Sequence, residues 1–196
     1  VAAYMTTMPA ARPASCFEPS TIRVRQRAAA VVRRADGRVL LHCRKGDGFW
    51  ALPGGAIEPG ESASEAIARE LHEELGTTVA VGALAFVVEN FFHHKGEAYH
   101  EVGLYLHATP QPGSLLVRSD GPYDGLEGVE GGEGNKALVF AWFSVQELAA
   151  LDLRPAFLRS ALTPPPGSAG ALHIVHRDPL HPPTADPLAD TPPSFS

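Results

Sequence analysis

The chain has 196 residues, with 16 Lys and Arg against 22 Asp and Glu, so its formal net charge is −6 with histidines neutral. That length suits one domain with tails, and 44% hydrophobic residues supply a core. The acidic balance argues against a general nucleic-acid or anionic-membrane surface, which needs a basic face, and no apolar run reaches the ~20 residues of a membrane helix.

Residues 1–22 carry Pro9, Pro13 and Pro19 with no clear period, and read as a flexible tail. They hold no apolar run of the secretory type, and the two cysteines, Cys16 and Cys43, are too few for a disulfide framework. A reduced, cytoplasmic protein is expected. Arg27–Val32 and Val39–Arg44 are β-branched apolar runs, and Ala35–Arg38 between them reads as a hairpin turn. Phe49–Leu52 is a short apolar segment stopped by Pro53-Gly54-Gly55. Ser62–Leu75 is the strongest helix. Val79–Glu89, Tyr99–His107 and Leu138–Phe143 read as strands, Ser144–Leu151 as a short helix, and Pro155–Leu162 as a helical turn or two. Gly121–Gly134 reads as a Gly/Glu-rich loop. After Leu162 prolines dominate, interrupted by Leu172–His176, which alternates as a short edge strand. The domain is therefore expected over residues 23–177, with a Pro-rich tail over 178–196.

The helix carries the chemistry. Ser62 is an N-cap, Glu65 completes a capping box, and Gly76 stands where a left-handed residue closes a helix. At ~100° per residue, Ala63, Leu71 and Leu75 fall near Ile67 and define the buried stripe. Glu74 falls inside that stripe, and Glu70 and Glu73 line its edge. Glu70 is four residues from Glu74 and three from Glu73, so like charges face each other. Two such charges about 6 Å apart repel by roughly 3 kcal/mol at an effective dielectric near ~20, and burial adds a desolvation cost. A hard divalent cation resolves this conflict, because clustered carboxylate oxygens suit magnesium or manganese. Arg69, four before Glu73, can neutralise and orient part of the cluster.

These residues resemble the Nudix hydrolase signature, in which a Gly is followed after five residues by Glu, and after seven more by Arg-Glu, an apolar residue, any residue, Glu-Glu, any residue, Gly and an apolar residue. Gly55, Glu61, Arg69, Glu70, Leu71, Glu73, Glu74 and Gly76 stand where the signature asks. Thr77 replaces its final aliphatic residue, a packing position. The lead-in Trp50–Gly55, the strand order and Phe140–Phe143 before a short helix are similar to the family too. The resemblance implies an α/β fold, a mixed β-sheet sandwiched between helices, and a metal-dependent hydrolase that cleaves a nucleoside diphosphate linked to another group. By the same resemblance, Glu70, Glu73 and Glu74, the Gly54 carbonyl and Glu61 would hold Mg2+, or Mn2+ as a substitute. Arg69 would hold a glutamate in place, and Gly55 would let the chain turn close to the metals. By the same resemblance, the base that takes the water's proton would be a signature glutamate, Glu73, or one from a later segment, Glu101 or Glu97.

Outside the signature, Arg23, Arg25 and Arg27 alternate as a solvated strand edge or as a reach toward phosphate, and Phe49 and Phe92 either pack in the core or stack on a base. The strand period puts His93 and His94 on opposite faces, so they do not chelate together. The secondary marks of ADP-ribose, dinucleoside polyphosphate, NADH and coenzyme A enzymes are missing. That favours a nucleoside triphosphate or modified nucleotide as substrate. An ADP-ribose-like or nucleotide-sugar pyrophosphatase and a non-catalytic nucleotide-binding module are the alternatives. The expected partner is a small nucleotide, with no nucleic acid and no membrane, and the chain is expected as a monomer or homodimer.

Overall fold

The computed structural model describes residues 22–94, 96–128, 136–163 and 170–179. The expected N-terminal tail up to residue 21, part of the 121–134 loop, the Pro164–Pro166 run and the tail from residue 180 lie outside the described residues. In chain order the elements are β1 (Arg23–Val32), β2 (Val39–Arg44), β3 (Gly54–Ala56), α1 (Ala63–Leu75), β4 (Val79–His94), β5 (Glu97–Pro110), α2 (Leu115–Arg118), β6 (Tyr123–Glu127), β7 (Lys136–Phe143), α3 (Val145–Leu148), α4 (Leu158–Ala161) and β8 (Leu172–Arg177).

They form a five-stranded mixed sheet in the order β3-β1-β5-β4-β8 and a three-stranded antiparallel sheet in the order β2-β7-β6. β1 lies inside the sheet, between β3 and β5, because Ala28–Val32 is small and apolar on both faces, and all five residues are buried. The pleat sends Ala28, Ala30 and Val32 to one side, where they meet Ile67, Leu71 and Leu75 of α1 together with Phe140 and Trp142 of β7. Ala29 and Val31 point the other way, against Leu148, Leu153, Leu158 and Leu162 of the α3–α4 segment. The mixed sheet between helical layers is therefore present, with one core on each face.

Three local expectations are corrected. The turn at Ala35–Gly37 forms, with the Gly37 amide bonded to the Arg34 carbonyl at 3.0 Å. Its flanking strands share only the Arg33–Val39 bridge, and then β1 and β2 enter different sheets instead of making a hairpin. The segment read as a loop from Gly121 contains β6, which pairs with β7 from Tyr123–Phe140 to Glu127–Lys136. β6 approaches α1 so closely that a Cβ on Gly125 would lie 2.5 Å from the Glu74 carbonyl oxygen and 2.6 Å from the Phe140 ring. β4 and β5 also run longer than their apolar cores suggested, since their polar ends still pair, down to His94–Glu97.

Candidate active site

α1 forms as the sequence dictates. The Ser62 side chain accepts from the Glu65 amide, the Glu65 carboxylate accepts from the Ser62 amide, and Gly76 closes the helix at φ 61°. Ala66, Ile67, Leu71, Glu74 and Leu75 are its buried residues. Glu74 is thus a carboxylate set among aliphatic side chains, only 6% exposed.

Arg69 organises the remaining acids. Its Nε and Nη2 donate to the two oxygens of Glu61 at 2.9 and 3.0 Å, a bidentate pair. Its Nη1 reaches Glu70 Oε1 at 3.0 Å and Glu73 Oε2 at 3.2 Å. Nη2 also donates to the Ala56 carbonyl at 3.0 Å, which ties α1 to the end of β3. One guanidinium therefore fixes three carboxylates and a strand. These partners, Glu61 first, raise its pKa above the ordinary arginine value, and the Arg69 bond in turn lowers that of Glu61. Glu70 moves the other way, because burial outweighs Arg69 and the neighbouring Glu74 adds repulsion. Glu73 keeps its side chain 58% exposed.

β3 brings the glycines to this cluster. Ala28 pairs with Gly55 and Ala29 with Gly54. A Cβ at Gly55 would sit 2.1 Å from Glu70 Oε1, so only glycine lets that carboxylate lie against the strand. Gly54 has φ +139°, and a Cβ there would collide with the Ala28 carbonyl oxygen at 2.2 Å. Thr77, the departure from the signature, is buried as a packing residue, with its hydroxyl left without a hydrogen bond.

Of the other expected residues, Arg27 stays near enough to Glu70 to favour its charged form, and the rest are placed elsewhere around the sheet. Glu101 is buried and accepts from Arg25 Nε at 2.7 Å. It shares a face of β5 with Tyr105, whose core is opposite α1. Glu97 pairs with Arg23 at 2.6 Å near the tip of the β4–β5 hairpin. Arg27 donates from Nη2 to the Leu52 carbonyl at 3.3 Å. Phe92 stacks on Tyr99 with centroids 5.2 Å apart, and Arg25 lies over both rings. Phe49 lies under the Arg154 guanidinium and lines a cavity of about 480 Å³ with Arg44, Lys45, His94 and Lys136. The site also holds a residue that the signature did not flag. His42 of β2 brings Nδ1 to 3.6 Å from Glu74 Oε2.

The fit of a divalent cation rests on these donors. Among the described residues no three His, Cys, Asp or Glu side chains form a ready-made cage, and three of the four carboxylates instead share Arg69. Glu74 Oε2, however, is buried with no hydrogen-bond partner, an unmet cost for a buried polar oxygen. The half-buried Glu70 adds a second hard oxygen donor, and an all-oxygen set of this kind suits a hard divalent cation. The residues fit the ion.

A family model described as NUDIX domain matches residues 23–162. The chain belongs to the Nudix family. A CTP pyrophosphohydrolase of Escherichia coli (strain K12) is 33% identical over 132 residues, covering 65% of this chain and 82% of that protein. A MutT-like protein of Streptomyces ambofaciens is 45% identical over 62 residues, which span 32% of this chain and only 40% of the relative. Among solved structures, a NUDIX hydrolase from Nitrosomonas europaea aligns over 79% of each chain with a TM-score of 0.54 at 19% identity, a likeness of fold.

Proposed function

We propose that this Nudix protein is a divalent-cation-dependent pyrophosphohydrolase that converts a nucleoside triphosphate or modified nucleotide to the monophosphate and pyrophosphate. The observation that carries this reading is the buried, unpartnered Glu74 carboxylate oxygen beside Glu70. The CTP pyrophosphohydrolase relative supports a nucleoside triphosphate as substrate. Glu70, Glu74, Glu73, Glu61 and the Gly54 carbonyl would hold Mg2+, with Mn2+ as a substitute. The bound ion would offset phosphate charge and lower the pKa of a water.

The chain's own residues do the rest. Arg69 keeps Glu61 and Glu70 in place, so that they need not reorganise during reaction. Water oxygen bonds to phosphorus, the bridging P–O bond breaks, and pyrophosphate leaves. Glu73, the exposed member of the cluster, accepts the water's proton. Gly55 allows close approach, and Arg27, Phe49 and Phe92 would contact substrate.

The test is a nucleotide screen with magnesium, with both products identified by mass, repeated with Glu74→Gln. The expected result is monophosphate plus pyrophosphate from wild type, and a loss of more than about 100-fold in the variant with its melting temperature kept. Full activity of Glu74→Gln, or of wild type in excess chelator, rejects the proposal.

A further inference from the structure

We propose that His42 is a positioning residue for Glu74, closing a hydrogen bond from its Nδ1–H to Glu74 Oε2 when a divalent cation is bound. The inference rests on the reading of Glu74 as a cation ligand. It starts from two atoms that lack partners. His42 Nδ1 and Glu74 Oε2 are both buried, both without a hydrogen bond, and 3.6 Å apart. That separation is just beyond the ~3.2 Å limit of a good N–H···O bond, so a movement of about half an ångström closes it. Buried polar atoms normally find partners, and these two lie just short of bonding distance from each other.

The surroundings fix both residues. The His42 amide donates to the Ala51 carbonyl and the Ala51 amide to the His42 carbonyl, each at 2.9 Å. The imidazole packs on Phe140 with centroids 5.4 Å apart. On the other side, Gly125 of β6 leaves no room for even a Cβ against the Glu74 carbonyl oxygen. Neither backbone can withdraw, and the carboxylate's own torsions are what remain to adjust. Carboxylates that ligate metals are themselves held by hydrogen bonds. A carboxylate oxygen has lone pairs enough to accept from His42 and still face the ion.

The experiment is calorimetric titration of manganese chloride into the full, nucleotide-free chain, with melting temperature measured separately without metal. His42→Phe and His42→Leu fill the space without a donor. His42→Asn keeps an amide nitrogen near the place of Nδ1. The filling variants are expected to bind manganese roughly ten-fold or more weakly with the metal-free melting temperature kept, and His42→Asn to recover most of the affinity. Wild-type affinity in either filling variant overturns the proposal. So does a loss that follows a lower metal-free melting temperature and is not rescued by Asn. If wild type itself binds no manganese, the cation reading of Glu74 fails and this inference falls with it. Tight binding by wild type and the filling variants alike, with loss only in Glu74→Gln, removes His42 alone.

Discussion

A single guanidinium decides how the acidic cluster survives without a cation. Arg69 satisfies Glu61, Glu70 and Glu73 at once, while Glu74 is left to its apolar surroundings. Replacing Arg69 by Met keeps the aliphatic stem and removes the charge. Glu61 and Glu70, only 14% and 15% exposed in their side chains, then lose their shared cation, and Glu70 faces the repulsion of Glu74 with Arg27 left to offset it. We expect a stability loss of about 2 kcal/mol, below the 3–5 kcal/mol of a fully buried pair because Glu73 is solvated. That corresponds to roughly 4–8 °C for a chain of this size. Added magnesium should raise the melting temperature of Arg69→Met more than that of wild type, because the ion takes over part of the neutralising role. Thermal melts with and without magnesium check this, and equal increments in the two proteins refute it.

At the scale of elements, the β3–β1 pair sets how near the chain comes to the carboxylates, and its two glycines do different work. Gly54→Ala puts a Cβ 2.2 Å from a backbone oxygen at a φ of +139°, and neither can yield. The variant should lose stability by 2 kcal/mol or more, seen as a lower midpoint in urea. Gly55→Ala meets the flexible end of Glu70 instead. The carboxylate can swing away, so this variant should keep most of its stability while its activity falls at least ten-fold. Equal stability losses in the two would show that the distinction between backbone and side-chain obstruction is wrong. The sequence makes α1 legible because both its ends are written locally, by Ser62 with Glu65 and by Gly76. The β1–β2 hairpin was misread because turn chemistry is local whereas sheet membership is not. β6 was hidden because Tyr123-Asp124-Gly125-Leu126-Glu127 is short and has a glycine at its centre. That glycine is legible only once Glu74 is seen against it. His42 was equally silent, since its partner Glu74 lies on another element and no spacing rule links them.

On the scale of the whole molecule, the family match ends at residue 162, yet β8 extends the mixed sheet beyond it. β8 runs parallel to β4 from Leu172–Phe86 to Arg177–Phe91, with Ile174 against the core opposite α1. His176 completes a polar row across four strands on that face. Its Nδ1 meets Asn90 Oδ1 at 2.9 Å, Asn90 pairs in register with Glu101, and Glu101 holds Arg25. Burial lowers the pKa of His176 below its ordinary 6.5, with Asp178 opposing, and burial also lowers that of His107. Between the folded value and 6.5 the unfolded chain binds more protons than the folded one. The contribution of these histidines is therefore complete above pH 6.5 and is lost as pH falls through their folded values. The raised Glu70 acts in the opposite sense at lower pH, so a wild-type profile alone mixes the two. His176→Gln keeps a partner for Asn90 and removes the titration. Its melting temperature should fall less than that of wild type between pH 7.5 and 5.5, and parallel curves would show that β8 contributes no proton-linked stability.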